Sequence, residues 1–221
     1  GELLVALLLE QAEKNGARVV REKVTLEASD DEVRVRLGDE VLAFDAVVLS
    51  SGAWVKELLE PLGYYVDVRP QKGQLIELTL ETREDTSKWP VCMLHGEIDI
   101  LPFPDGKILV GATHENTQGF DLVPDEELLN GMYEEACASL PSLKNAKRSG
   151  VRVGTRAYTS DFLPFFGEVP NTTNAFVASG LGSSGLTSGV WIGECLARMA
   201  TGEEVGFSVE KYTPQNYVRK V

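Results

Sequence analysis

Glycines in GxGxxG spacing, with Ser183 and Ser184 among them, stand where a short apolar strand would hand over to a helix. Asn174 to Gly202 reads NAFVASGLGSSGLTSGVWIGECLARMATG, with Gly180-x-Gly182-x-x-Gly185 at the junction. Such a turn offers unpaired backbone N–H groups at the positive end of a helix dipole, which suits an anion such as a pyrophosphate. A dinucleotide cradle opens a βαβ unit, however, and needs a second strand ending in an acidic residue for the ribose. Nineteen residues follow Gly202, and the apolar stretch among them, Val205 to Val209, is short and holds Gly206 and Ser208. The spacing leaves two readings open: an anion site, or a tight turn whose glycines let a helix pack on a sheet.

The rest of the composition narrows the chemistry. At 221 residues the chain has room for one large or two small domains. A formal net charge of -13 argues against nucleic acid or an anionic membrane as the main partner, because both would be repelled. Cys92, Cys137 and Cys195 are far apart and not in CxxC spacing, which indicates neither a disulfide framework nor a zinc site and fits a reducing cytoplasm. The two histidines sit in no hydrolase motif. Leu3 to Leu9 lacks the basic flank of a signal peptide, and no apolar run reaches membrane-spanning length. The chain opens at Gly1 directly in a helical pattern, which reads as a fragment of a longer protein.

The elements that must position the glycine turn follow from periodicity. Leu3, Leu4, Leu7 and Leu8 are spaced for one helical face, ended by Asn15-Gly16. Ala17 to Val20 reads as a strand. Val24 to Leu26, Glu32 to Leu37 and Glu40 to Phe44 alternate, with DD and GD turns between the later runs, and predict an antiparallel meander. Asp45 to Leu49 reads as a buried strand running into Ser50-Ser51-Gly52-Ala53-Trp54 and a helix from Val55 to Leu62. Longer β segments follow at Gly73 to Leu80, Val91 to Leu94, Ile98 to Pro102 and Lys107 to Thr113. A helix is expected from Asp125 to Leu140, bounded by Pro124 and Pro141, and a strand from Ser149 to Tyr158.

The order of short motifs resembles a known family. Asp45-AVVLSSGAW-Val55, Arg69-Pro70-x-Lys72-Gly73-Gln74, Pro102 with Gly111-Ala112-Thr113, Gly154-x-Arg156-x-x-Thr159-x-Asp161-x-x-Pro164-x-x-Gly167, and Ala178-Ser179-Gly180 with Gly185 are similar to segments of the D-amino-acid oxidase (DAO) superfamily of FAD-dependent oxidoreductases. Glycine oxidase, sarcosine oxidase and D-amino-acid dehydrogenase belong to it. The resemblance covers nearly the whole chain and implies an α/β (α+β) fold: a partial FAD-binding Rossmann-like domain over residues 1–68, a mainly antiparallel substrate-binding sheet domain with a helix over 69–148, and a return to the FAD-binding domain with its C-terminal helix over 149–221. Family members begin with a GxGxxG unit that this chain does not show, so the resemblance implies a truncated domain.

The same resemblance implies site residues. Val24 matches a valine whose backbone contacts adenine, and Ser51 and Gly52 match a turn close to the FAD ribose and phosphates, where glycine permits close approach. Trp54 lies in that segment, although a tryptophan more often packs a core. Gly180, Gly182, Ser183, Ser184, Gly185, Leu186 and Thr187 match the start of the last helix, whose N-terminus faces the pyrimidine edge of the isoalloxazine and stabilises charge on reduced flavin. The serines would add hydroxyl donors or cap the helix. Arg156 matches the arginine that grips a substrate carboxylate, a task its fork geometry suits. Its plainer reading is a structural salt bridge, with Asp161 as the partner. Tyr158 falls on the same side of a strand as Arg156, and His114 matches a position lining the substrate cavity.

Two departures from the family pattern bear on the substrate. The turn before the last helix carries no arginine or lysine, and Asp99 stands where some relatives place an aromatic residue against the substrate. Either change points to an amine with a different charge pattern or a side chain with its own cation. No cysteine lies close to Arg156, so non-covalent FAD is implied.

The implied reaction is oxidation of the C–N bond of an amino acid or secondary amine, with a small-molecule substrate and no residue assigned as catalytic acid or base. The alternatives are a non-catalytic binding or interaction module and the flavin domain of a larger RNA-modifying enzyme, which the acidic charge disfavours. For the chain by itself, the missing pyrophosphate unit leads to the expectation of an inactive, flavin-free preparation.

Overall fold

The computed structural model describes residues 1–82, 85–96 and 98–221. In chain order the elements are α1 (Glu2–Lys14), β1 (Val24–Ser29), β2 (Glu32–Leu37), β3 (Glu40–Leu42), β4 (Val47–Leu49), α2 (Val55–Leu59), β5 (Tyr64–Val66), β6 (Arg69–Thr79), β7 (Cys92–Met93), β8 (Asp99–Pro102), β9 (Lys107–Gly111), α3 (Glu126–Ser139), β10 (Lys147–Tyr158), β11 (Phe165–Glu168), β12 (Ala175–Ser179), α4 (Gly185–Ala200) and β13 (Val218–Lys220). They form two compact units, one from residues 1–68 with 158–221 and one from residues 69–157. Residues 149–157 belong with the second unit because β10 is a strand of its sheet.

The first unit is built on three small sheets, ordered β1-β2-β3, β11-β12-β4 and β13-β5. The alternating meander forms as the period of two requires, its turns at Asp30 and Gly38 taking positive φ. Asn174 clamps it to the central sheet: its Oδ1 accepts from Val33 N at 2.8 Å, and its Nδ2 donates to Val33 O at 3.0 Å and Phe44 O at 3.1 Å. Beneath lies an apolar core of Leu26, Val33, Leu49, Val55, Leu59, Val66, Phe165 and Val177. Burying each such side chain stabilises the fold by about 1.5–3 kcal/mol relative to leaving it exposed.

Two sequence expectations change here. Ala17 to Val20 is not a strand, and Val19 and Val20 are exposed; β-branched side chains do not make a strand where no partner takes up the backbone hydrogen bonds. The stripe of α1 forms as a helix with Gly16 at positive φ past its end, yet Leu3, Leu4, Leu7 and Leu8 remain exposed.

The second unit is one five-stranded sheet, ordered β10-β6-β9-β8-β7, with α3 on one face. Ile76 and Leu78 of β6, Ile108 and Val110 of β9 and Ile100 of β8 point to that face and pack with Leu129, Met132 and Ala136 of α3. Alternation then sends Gly73, Leu75 and Glu77 to the opposite face. The helix begins at Asp125, whose carboxylate accepts from Glu127 N and Leu128 N at 3.0 and 3.1 Å, a cap worth about 1 kcal/mol.

Asp161 and Tyr217 tie the C-terminal segment of the first unit together. Tyr217 stacks on Phe165 with ring centroids 5.0 Å apart and donates its hydroxyl to Asp161 Oδ2 at 2.9 Å. Burial of Asp161 opposes ionisation, but donors at Leu163, Tyr217 and Thr159 outweigh it and hold the carboxyl below its usual range. Burial, then the hydrogen bond to Asp161, pushes Tyr217 up to about 12. A raised phenol pKa stabilises the fold fully below the ordinary value of 10.0, and the contribution drains away as pH rises towards about 12. Replacing Tyr217 by Phe should cost about 1 kcal/mol at neutral pH. In denaturant titrations at several alkaline pH values, the gap between native and Tyr217→Phe proteins should shrink above pH 10; a constant gap would show that the phenol proton does not stabilise the fold.

Candidate functional site

In the first unit the sheet order places β4 and β12 side by side and parallel, with Ala175 opposite Val47 and Val177 opposite Leu49. Both strands therefore end at the same edge, β4 entering the Ser50–Gly52 turn and β12 the Gly180–Gly182 turn. In open α/β sheets, ligands collect beyond the carboxyl ends of parallel strands. Ser179 Oγ joins the two turns by donating to Gly52 O at 2.8 Å. Gly52 has φ +57°, with open space where a Cβ would stand. Gly180, at φ +75°, leaves no such room: a Cβ would lie 2.9 Å from Thr159 Cγ2 and 3.1 Å from Leu163 O.

The expected site residues differ in their placement. Ser51, Gly52 and Gly180 are brought together by that hydrogen bond. Ser51 Oγ is buried and makes no hydrogen bond among the described residues. Val24 is half-buried at the start of β1, in a different sheet, and Trp54 is exposed just beyond Gly52. Gly182, Ser183 and Ser184 form a single 3-10 turn leading into α4, and Gly185, Leu186 and Thr187 make its first turn. No side chain caps α4, contrary to the sequence expectation: Ser184 Oγ donates back to Leu181 O at 2.9 Å, and Thr187 Oγ1 donates to Ser184 O at 2.9 Å. With those hydroxyl protons engaged, the donors left at this helix start are the backbone N–H groups and exposed Ser183.

The second unit contributes Arg156. Its Nη1 donates to Thr113 O at 3.0 Å and to Gln71 Oε1 at 3.4 Å, and it has no carboxylate partner among the described residues. Asp161, the partner considered from sequence, takes its hydrogen bonds from Leu163, Tyr217 and Thr159 instead. Burial disfavours the charged guanidinium and lowers its pKa. The guanidinium lies directly over Gly73, whose Cβ, if it had one, would stand 2.4 Å from Nη1 and 2.7 Å from Cζ. Gly73, Gln71 and the Thr113 carbonyl are missed by sequence reasoning about the site; the available signal was a glycine inside a strand pattern, which marks close approach of another group.

A buried network fixes the Thr113 carbonyl. Glu115 Oε1 accepts from Gln74 Nε2 at 2.7 Å and from Thr113 Oγ1 at 2.6 Å, while Thr113 Oγ1 accepts from Gln74 N at 2.9 Å. Lys72, almost wholly buried, donates to Val123 O and lies 3.9 Å from Glu115 Oε2 and 3.6 Å from Asp121. The segment after β9 is thus pinned to β6. His114 is exposed and lines a cleft of about 640 Å³ with Glu127, Leu128 and Met132 of α3. Asp99 opens β8 and pairs with Gly111. Tyr158, the last residue of β10, is buried and stacked on Phe162 at 5.5 Å.

The first unit thus holds two glycine turns at the carboxyl ends of β4 and β12, and the second unit by itself holds a guanidinium with no carboxylate partner among the described residues. The family described as DAO, FAD dependent oxidoreductase, matches residues 1–199. The chain belongs to that family. It is 38% identical over 218 residues to an uncharacterized oxidoreductase, YurR, of Bacillus subtilis (strain 168), covering 97% of this chain and 58% of that protein. A glycine oxidase of Pseudomonas putida is 33% identical over 181 residues, covering 82% of this chain and 48% of the relative. Among solved structures, an iminodiacetate oxidase (IdaA) from Chelativorans sp. BNC1 superposes with a TM-score of 0.91 at 33% identity, covering 96% of this chain and 58% of that one. The chain thus spans about half the length of these relatives.

FAD is the cofactor of this family, and the residues present fit it. The orphaned Ser51 hydroxyl and the open space at Gly52 leave a polar, unobstructed edge, and the start of α4 supplies N–H donors for negative charge. Two outcomes follow. Ser51→Ala should leave thermal stability unchanged or slightly raised, since it removes an unsatisfied polar atom, while weakening FAD binding by the flavin-loaded protein about tenfold in fluorescence titration; unchanged FAD affinity would remove Ser51 from the site. Gly73→Ala should leave the melting temperature nearly unchanged, because the clash falls on the tip of a flexible side chain, and weaken binding of a simple carboxylate about 10–100-fold by displacing Arg156. Calorimetric titration with glycolate measures the second effect.

Proposed function

We propose that the protein carrying this chain oxidises the C–N bond of an amino acid or secondary amine, with FAD bound non-covalently. The observation that carries this reading is Arg156, a half-buried cation seated over Gly73, oriented by Gln71 and the Thr113 carbonyl and with no carboxylate partner among the described residues. A desolvated guanidinium in that state favours a bidentate carboxylate from outside the protein. The names of the relatives, a glycine oxidase and an iminodiacetate oxidase, support a small carboxylate-bearing amine as the substrate class.

FAD, when bound, supplies the acceptor for the two electrons leaving the α-carbon. This chain's part is to bind and orient. Arg156 fixes the carboxylate and with it the α-carbon, so that remote binding energy is used for positioning. The backbone N–H groups at the start of α4 would favour negative charge on a bound cofactor, at little reorganisation cost. No helix of the described residues is long and apolar enough to cross a membrane. The free thiols of Cys92, Cys137 and Cys195 fit a reducing, cytoplasmic setting.

The test is anaerobic flavin bleaching by amino acids and by amines without a carboxylate. Arg156→Ala should raise KM for the former about 100-fold or more, the cost of losing a charge-assisted pair, and leave the latter within a few-fold. Equal loss for both would remove Arg156 from carboxylate recognition.

A further inference from the structure

The face of the second unit's sheet turned away from α3 carries a second charge that has no partner among the described residues. Directly opposed residues of an antiparallel ladder project to the same side, so the register Leu75 to Gly111 to Asp99 puts these three on one face. Alternation along β6 puts Gly73 on that face with Leu75, and the Arg156 guanidinium lies over Gly73. Arg156 and Asp99 thus share a face across the strand order β10-β6-β9-β8. Asp99 is half-buried and, among the described residues, its carboxylate makes no hydrogen bond or ion pair. Elsewhere on the same face the charges are matched: Glu77 pairs with Arg152 and with Lys107. An anion and a cation without a described partner, on a face where Glu77 is matched by two cations, point to a ligand carrying the complement of both.

The floor between them fits an aliphatic stem. A Cβ at Gly111 would come within 2.5 Å of Leu75 Cβ, so no side chain rises there and Leu75 supplies an apolar surface. Because the guanidinium already reaches over β6, two strand spacings across and the two-residue offset between Gly73 and Leu75 along the strand separate it from the β8 backbone at Asp99, about 12 Å in all. An extended basic amino acid, with an ionic contact at each end, spans such a gap. A dicarboxylate would set its second acid group against Asp99.

We propose that the substrate is an amino acid whose side chain carries a cation, its carboxylate held by Arg156 and its distal ammonium or guanidinium group by Asp99. The proposal rests on the reading of Arg156 given above. It also separates this protein from the iminodiacetate oxidase it resembles, whose name describes a substrate bearing two acids.

The experiment uses the full-length, flavin-loaded protein. Anaerobic flavin reduction is measured with both enantiomers of lysine, ornithine and norleucine, and with glycine and iminodiacetate. Binding of δ-aminovalerate and valerate, which lack an α-amine, is followed by perturbation of the flavin spectrum. Lysine or ornithine should be at least tenfold better than norleucine in reduction, and δ-aminovalerate at least tenfold tighter than valerate. Asp99→Asn should bring both ratios close to one, while Asp99→Glu should retain part of each. If norleucine or iminodiacetate matches lysine, or if Asp99→Asn leaves the ratios intact, the role of Asp99 is overturned while the oxidation of amines stands. If no amine reduces the flavin, the proposed reaction falls and this substrate assignment with it.

Discussion

Strand β6 must serve two faces of one sheet, and the second unit is arranged around that requirement. Its residues alternate strictly between a dry face against α3 and a face free of that helix. Ile76 and Leu78 complete the core on one side, while Lys72 and Gln74 lie on the same side but anchor the Thr113–Val123 segment through Glu115 and Val123. On the other side Gly73 has no side chain, and the Arg156 guanidinium occupies the space. The two faces are coupled through Thr113, whose hydroxyl belongs to the buried network and whose carbonyl accepts from Arg156. A shift of one residue in the register of β6 would bury Glu77 and expose Ile76, so the core enforces the position of the guanidinium.

The first unit works by a different constraint. Parallel pairing of β4 with β12 brings two turns far apart in sequence to a common edge, and one hydrogen bond from Ser179 holds them together. The glycines there act in opposite senses. Gly52 keeps space open, whereas Gly180 lets Thr159 and the Leu163 carbonyl pack tightly. The fold accepts an unsatisfied hydroxyl at Ser51, a cost of about 1–3 kcal/mol unless a ligand offers a partner.

Much of this was readable in the residues. The meander at β1 to β3, the limits of α3 and the strand-to-helix passage at Gly180 follow from period, turn residues and the prolines at 124 and 141, all local signals. What was unreadable depends on partners distant in sequence. Ala17 to Val20 has strand-forming residues and no ladder, and the leucine stripe of α1 makes a helix without burying itself. Ser184 has the chemistry of a cap, but its hydroxyl turns back to Leu181 because the preceding 3-10 turn presents a carbonyl at hydrogen-bond distance. The seat of Arg156 over Gly73 joins two neighbouring strands separated by more than half the second unit's sequence, and no local pattern encodes it.

The guanidinium of Arg156 also stands in the field of a chain whose formal net charge is -13. Around a chain of that charge an approaching solute meets a mean negative potential, whose range the Debye length limits to about 8 Å at physiological salt. Encounter kinetics and bound-state affinity therefore obey different electrostatics here. A dianion approaches against the field and gains access as salt is added, while a solute with a net positive charge is drawn in and slowed by the same addition. For this chain, the sign of the ionic-strength effect on the association rate follows the net charge of the approaching solute, independently of which atoms it touches once bound.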